Sequence, residues 1–273
     1  MLLDSEDAPP FVHPQLKSRV HTGVDNDGDS EDKQSEPLNN CISLLHMLHS
    51  GVSGSRKLFW RNARMECERF REMHGTFDRW ETLSATQALF IYTVIRLDEH
   101  QKRPDQLLDS LLAVAVRAMA QRLNSFGLEF AYSHNTSWED WIFEESRRRL
   151  CVVFRVVSLL VHFEPTSLCQ LHETGLIIAP LPARKRLWHA GDEMQWWAEK
   201  SSTNTGDEED VGLTGSGELV GLQRRWISCR PTGPTFHHAS DLTPLFKKTL
   251  NWEKWCSGMD ELGGLIMLAA TLT

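Results

Sequence analysis

The chain has 273 residues, 41% of them hydrophobic and 24% charged, with a formal net charge of -8. Those proportions suit a globular protein with enough chain to bury a sizeable core, and they exclude a collagen, a coiled coil along the whole length and a fully disordered chain. The charge is uneven: residues 1–36 hold nine acids and three bases, residues 201–218 five acids and no base, which leaves +3 on the remainder. A body so near neutrality lacks the basic footprint of a nucleic-acid binder, so no direct DNA contact is expected.

The acidic start contains Pro9, Pro10 and Pro14 and hardly an apolar cluster. Residues 1–37 therefore read as a disordered acidic leader, too polar to offset the entropy of ordering. Leu38, Cys41, Ile42, Leu45 and Leu48 follow the spacing of an amphipathic helix to His49. The next clear helix is expected at Ser84, with Gln87 three residues on as a capping box and Ala85, Ala88, Leu89, Tyr92 and Ile95 on one side. Pro104 and Asp105 suit a helix start, and the run from Leu107 to Leu123 predicts a largely buried helix.

Ser137 is placed to cap a longer helix that ends near Pro165. Glu144 and Glu145 stand four residues before Arg148 and Arg149, two pairs worth ~0.3–0.5 kcal/mol each if exposed. Leu150 to Phe163 is almost wholly apolar, as in a helix buried on all sides. Gly175 to Pro182 predicts an extended loop, followed by a helix carrying Leu187, Trp188, Trp196 and Trp197. Residues about 201–220, rich in glycine and acid, read as a flexible insertion. One helix to about Trp255 and a second from Met259 complete the chain. With no sustained alternation of apolar and polar residues, strands are not expected and the fold class is all-α, a multi-helix domain over residues 38–273.

Chemistry is sparse. The six cysteines (Cys41, Cys67, Cys151, Cys169, Cys229 and Cys256) contain no close pair and read as reduced, buried apolar residues. The chain shows no basic-then-apolar signal and no apolar run long enough to span a membrane, so it is expected off the membrane and inside the cell. His237 and His238 with Asp241, or His46 and His49 with Cys41, could imitate metal ligands, but neither set has the spacing of a metal site. Solvated residues are the better reading, so no catalytic residue, cofactor or metal is assigned and the chain is not expected to be an enzyme. Leu108-Asp109-Ser110-Leu111-Leu112 fits an L-x-x-L-L docking pattern inside a segment that wants burial, and Arg147-Arg148-Arg149 follows two glutamates that can pair with it. Arg184-Lys185-Arg186 is too short for a convincing import signal. Most of the ten tryptophans fall in the second half of the chain, where packing explains them more cheaply than a ligand cage.

Four stretches together resemble the regulatory region of fungal binuclear zinc-cluster transcription factors, the fungal-specific transcription factor domain. They are Thr86 to Tyr92; Trp138 to Arg149, a tryptophan pair leading into Glu-Ser-Arg-Arg; Ala179-Pro180-Leu181-Pro182 with Leu187-Trp188-His189-Ala190; and Trp255 to Ala270 with Met259 to Gly263. The second is the most specific. The resemblance marks Trp138, Trp141, Glu145, Ser146, Arg147, Arg148, Pro180, Pro182, Leu187 and Trp188 as a structural signature, and Arg148→Ala is expected to exceed the ~1 kcal/mol of a surface pair if its charge is partly buried. It implies an all-helical domain in the nucleus that regulates transcription, with other transcription regulators or coregulators as partners, homo- or heterodimers among them. It looks most like regulators encoded beside fungal secondary-metabolite pathways. In that family a six-cysteine cluster holding two zinc ions precedes this region. No cysteine precedes Cys41 here, so zinc and DNA reading are not carried over to this chain and return only if an upstream segment supplies the cluster. A ligand-sensing or interaction module, and more remotely a helical metal-dependent enzyme, are the alternatives.

Overall fold

The computed structural model describes residues 9–16, 29–100, 105–130, 137–161, 176–202, 210–222 and 246–271. Helix accounts for 73% of them, so the molecule is mostly helical. The chain divides into two compact units: a helical unit, Pro14–Gly127, and a split unit formed by Met1–His13 with Leu128–Thr273.

The helical unit contains α1 (Asp29–His49), α2 (Ser55–Met73), α3 (Arg79–His100) and α4 (Gln106–Phe130, whose residues to Gly127 belong here). Helix α1 begins nine residues before Leu38, inside the expected leader, and contains Pro37. Proline lacks an N–H and disturbs the ladder around it. The neighbouring Leu38 N–H turns instead to the Ser84 hydroxyl of α3, at 3.0 Å. Ser84 is thus an interior α3 residue that ties two helices together, not the cap it resembles. The true start of α3 is a reciprocal capping box: Asp78 Oδ1 accepts from the Trp80 and Glu81 N–H groups, both at 2.8 Å, while Glu81 Oε2 accepts from the Asp78 N–H at 2.8 Å.

Helix α2 was not anticipated. Its apolar stripe is narrow, with Phe59, Ala63, Cys67 and Phe70 buried among many charged residues. Gly54 caps it with φ of 86°, a left-handed backbone that glycine adopts without strain. In α4, Asp105 accepts from the Leu108 N–H as the N-cap, and Leu108, Leu112, Ala115, Met119 and Leu123 enter the core. The L-x-x-L-L leucines Leu108 and Leu112 are therefore spent on packing.

The split unit contains α5 (Trp138–Val161), β1 (Leu176–Ile178), α6 (Lys185–Trp188), α7 (Glu193–Ser202), β2 (Asp210–Thr214), β3 (Leu219–Leu222), β4 (Phe246–Thr249), α8 (Trp252–Cys256) and α9 (Glu261–Thr271). Ser137 caps α5 as expected, its Oγ accepting from the Asp140 N–H at 3.1 Å. The four strands form an antiparallel sheet in the order β1-β2-β3-β4, with β2 and β3 in register from Asp210 opposite Leu222 to Leu213 opposite Leu219.

This sheet corrects the expectation that strands are absent. Strands β2 and β3 lie largely in the supposed flexible insertion, β1 in the supposed extended loop, and β4 where a helix to Trp255 was expected. The strands are short, and all four residues of β3 are buried, so no alternation could signal them. The glycines that suggested flexibility have packing roles. A Cβ on Gly212 would meet Leu176 at 3.0 Å, and Gly217 turns the β2–β3 connection with φ of 76°. Helices α5 and α9 bury Val152, Val156, Ile266 and Ala269 with Ile178, Leu181, Leu213 and Leu219 in one apolar cluster. The single helix expected from Ala183 is two, because Asp192 starts α7 by accepting from the Gln195 N–H at 2.8 Å.

Candidate functional site

Arg149 and Glu145 stand one turn apart on α5, on the stripe that also carries Ile142, Val152 and Val156 into the core. The stripe forces the charges inward: the Arg149 side chain is 0% exposed, Glu145 1% and Asp260 8%. A guanidinium held out of water needs every donor partnered. Arg149 Nε donates to Glu145 Oε1 at 3.0 Å; Nη1 donates to Asp260 Oδ2 at 2.5 Å and to the Pro10 carbonyl at 3.1 Å; Nη2 donates to the Ala183 carbonyl at 3.2 Å. The guanidinium carbon lies 3.9 Å from the centre of the Trp188 ring, a cation–π contact.

Each partner is itself committed. Glu145 Oε1 also accepts from the Ala183 N–H at 2.8 Å, so Ala183 is held through both its backbone groups. Asp260 uses its other oxygen to accept from the Leu262 N–H at 3.1 Å, at the start of α9. Arg148 Nη1 stands 3.5 Å from Glu145 Oε2 and 3.8 Å from Asp210 Oδ1. Three carboxylates, Glu145, Asp260 and the more exposed Asp210, thus face two guanidiniums. One side chain of α5 thereby fastens residue 10, residue 183, Trp188 and the start of α9.

The fourth-residue pairing predicted for Glu145 and Arg149 is present, but buried. Glu144 pairs with Arg147 instead of Arg148, Oε2 to Nη2 at 2.6 Å. Arg148 is partly buried, 28% exposed against a buried Glu145, and the fully buried charge belongs to Arg149, which the signature omitted. The signal was present in the sequence: position 149 repeats the α5 core stripe at three and four residues before Val152 and Val153. Asp260 had no comparable local cue.

Of the other signature residues, Ser146 and Arg147 are buried, Trp188 lies on the hub guanidinium, Pro182 is buried just before the hub residue Ala183, and the Ala179–Pro180 bond is cis. Trp138 and Trp141 leave the hub and join Leu187, Ala190 and Trp196 in a separate aromatic cluster. There the rings of Trp141 and Trp196 are 5.8 Å apart, Trp196 and Trp197 meet edge-on at 4.9 Å, and the Lys200 ammonium lies 4.3 Å from the Trp196 ring centre. The indole N–H groups of Trp138 and Trp196 are buried with no hydrogen-bond partner among the described residues. The first family-like stretch, Thr86 to Tyr92, is an interior run of α3 in the helical unit.

Among the alternative sites, His237, His238 and Asp241 lie outside the described residues. His46 and His49 are exposed on α1 while Cys41 is fully buried beside the Ala88 carbonyl, so these three do not converge. Burial pushes the Cys41 thiol far above the ordinary range and the Cys67 thiol to about 12, so neither is a thiolate near neutral pH. The described residues contain no group of three or more histidines, cysteines or acids placed to hold a metal ion, and no described helix is long and apolar enough to cross a membrane. Arg184, Lys185 and Arg186 are exposed side by side at α6. Compared with protein-family models, with curated proteins and with solved structures, the chain finds no match.

Proposed function

We propose that the chain is a nuclear transcription regulator that works through a helical regulatory domain of the kind found in fungal binuclear zinc-cluster factors, and that it acts through other regulators or coregulators. The regulation of a secondary-metabolite gene cluster is the reading its resemblance favours. The observation that carries the proposal is the hub: Glu145 and Arg149, Ala183 after the Ala-Pro-Leu-Pro run, Trp188, and Asp260 come from three of the four family-like stretches and meet at one guanidinium. Stretches far apart in sequence then have one physical reason to occur together. The test is a reporter assay with the chain fused to a heterologous DNA-binding domain in a fungal host. Reporter output should change several-fold, with Arg149→Ala returning it to baseline. A folded fusion that reaches the nucleus and leaves output unmoved sinks the reading.

A second reading, a ligand-sensing module, is favoured by the unpartnered indole N–H groups of Trp138 and Trp196 beside two further tryptophan rings. A planar acceptor-bearing metabolite would satisfy them, and its binding would quench the fluorescence of the cluster. Unchanged emission across a panel of such compounds removes this reading and leaves the first intact.

A further inference from the structure

Pro9 to His13 is a short run whose unit-mates begin at Leu128, with the whole helical unit between them in sequence. It follows an acidic start and precedes the basic Lys17 and Arg19, and no apolar periodicity predicts its burial, yet Phe11 is 1% exposed, Val12 2% and His13 0%. The run makes a tight turn, the Val12 N–H donating to the Pro9 carbonyl at 2.8 Å. Arg149 Nη1 donates to the Pro10 carbonyl at 3.1 Å. The His13 ring stands edge-on to Trp188, ring centres 4.6 Å apart, and is hydrogen-bonded to the Trp188 backbone.

These contacts have the grammar of linear-motif recognition: a backbone carbonyl read by a fixed donor, two apolar anchors inserted side by side, and an aromatic edge at the end. The donor is fixed because Arg149 is already held by Glu145 and Asp260, so the receiving groups are organised without the segment. A segment joined to its seat only through a long intervening stretch of chain is retained by effective concentration, and an equal motif supplied from outside competes for the same place.

We propose that the surface around Arg149 and Trp188 is a peptide-binding site, that its resident ligand is the chain's own Pro-Pro-Phe-Val-His segment, and that it takes the same motif in trans when the resident is displaced. The partner chemistry is a peptide that makes the same tight turn, with paired prolines, an aromatic residue, a β-branched residue and a histidine. The site stands independently of the regulatory reading, because it rests on contacts alone.

The experiment uses the full chain carrying Phe11→Ser and Val12→Ser, which removes the two anchors of the resident segment and leaves Arg149, Glu145, Asp260 and Trp188 untouched. A fluorescein-labelled peptide of residues 9–16 is titrated and followed by anisotropy. The variant should bind it with micromolar affinity, at least 30-fold more tightly than the unaltered chain, whose site is filled. A peptide carrying Phe11→Ala should bind at least 10-fold more weakly than the native peptide. Selective binding of this kind supports the proposal whether the variant melts cooperatively before the peptide is added or only afterwards. Absence of binding, or equal binding of both peptides, overturns it and makes Pro9–His13 a fixed piece of the core.

Discussion

The two units handle charge differently. In the helical unit every named ion pair keeps one partner in reach of water: Arg64 with Asp105, an exposed Arg56 with the buried Glu99, and the buried Arg96 forking onto a partly exposed Asp109. Its stability comes from apolar stripes on neighbouring helices, and an exposed pair such as Arg64 with Asp105 adds little. In the split unit a single guanidinium is taken wholly out of water and partnered with four segments, one of them 139 residues away along the chain. Local periodicity builds the first unit, whereas the second is closed by contacts that no local pattern announces.

The largest effects should test that contrast directly. Arg149→Ala leaves Glu145 and Asp260 buried without their counter-ion and should destabilise by about 3–5 kcal/mol in chemical denaturation. Hydrogen exchange should accelerate first in α5, residues 181–188 and the start of α9. The matching change in the helical unit, Phe59→Ala, removes a fully buried ring and should also cost about 3–5 kcal/mol, through a cavity instead of an unpaired charge. The two are told apart by Arg149→Met, which should recover part of the arginine loss by filling space, with the remainder reporting the orphaned carboxylates.

The next effect is a pH dependence confined to the split unit. Burial, with Arg149 and His189 nearby, lowers the His13 pKa from 6.5 to about 4. A histidine with a depressed folded pKa stabilises most where it is neutral in both states, above about 6.5, and that contribution falls away as pH drops toward 4. The full change is on the order of 3 kcal/mol. A His13→Gln variant should lose the pH dependence of melting between pH 4 and 6.5 that the unaltered chain shows. Equal slopes for both proteins would falsify the assignment to His13.

Smaller changes sharpen the comparison. Asp78→Ala removes the side-chain half of the α3 capping box, leaves the backbone N–H that donates to Glu81, and should cost about 1 kcal/mol, with the amides at Trp80 and Glu81 exchanging faster. Arg148→Ala, one residue from the hub, breaks only a 3.5 Å and a 3.8 Å contact, but it takes a counter-charge from the buried Glu145 and should cost about 1–2 kcal/mol, well below the Arg149 loss. The neighbouring arginines should thus differ several-fold in a single denaturation series.

Much of the helical architecture could be read without coordinates. The apolar spacing from Leu38 to Leu48, the Ser137 cap and the apolar run behind Arg149 each dictate helix through backbone and side-chain geometry within a few residues, and the structure agrees at all three. Where local signals were ambiguous the reading failed. Ser84 has the composition of a cap and is an interior tie to Leu38, and Gly212 has the composition of a flexible loop and is a tightly packed strand residue.

The sequence alone therefore determined that Leu38–Leu48 and the segments behind Ser137 and Asp105 coil and which of their faces are apolar, because both depend on neighbours three and four residues away. Only the tertiary structure decided that β2 and β3 pair, that Asp260 and the Pro10 carbonyl reach Arg149, and that Phe11, Val12 and His13 are buried in an acidic, proline-rich stretch. Those outcomes depend on partners brought together through space, and the burial of Arg149 rests above all on the carboxylates of Glu145 and Asp260 arriving together.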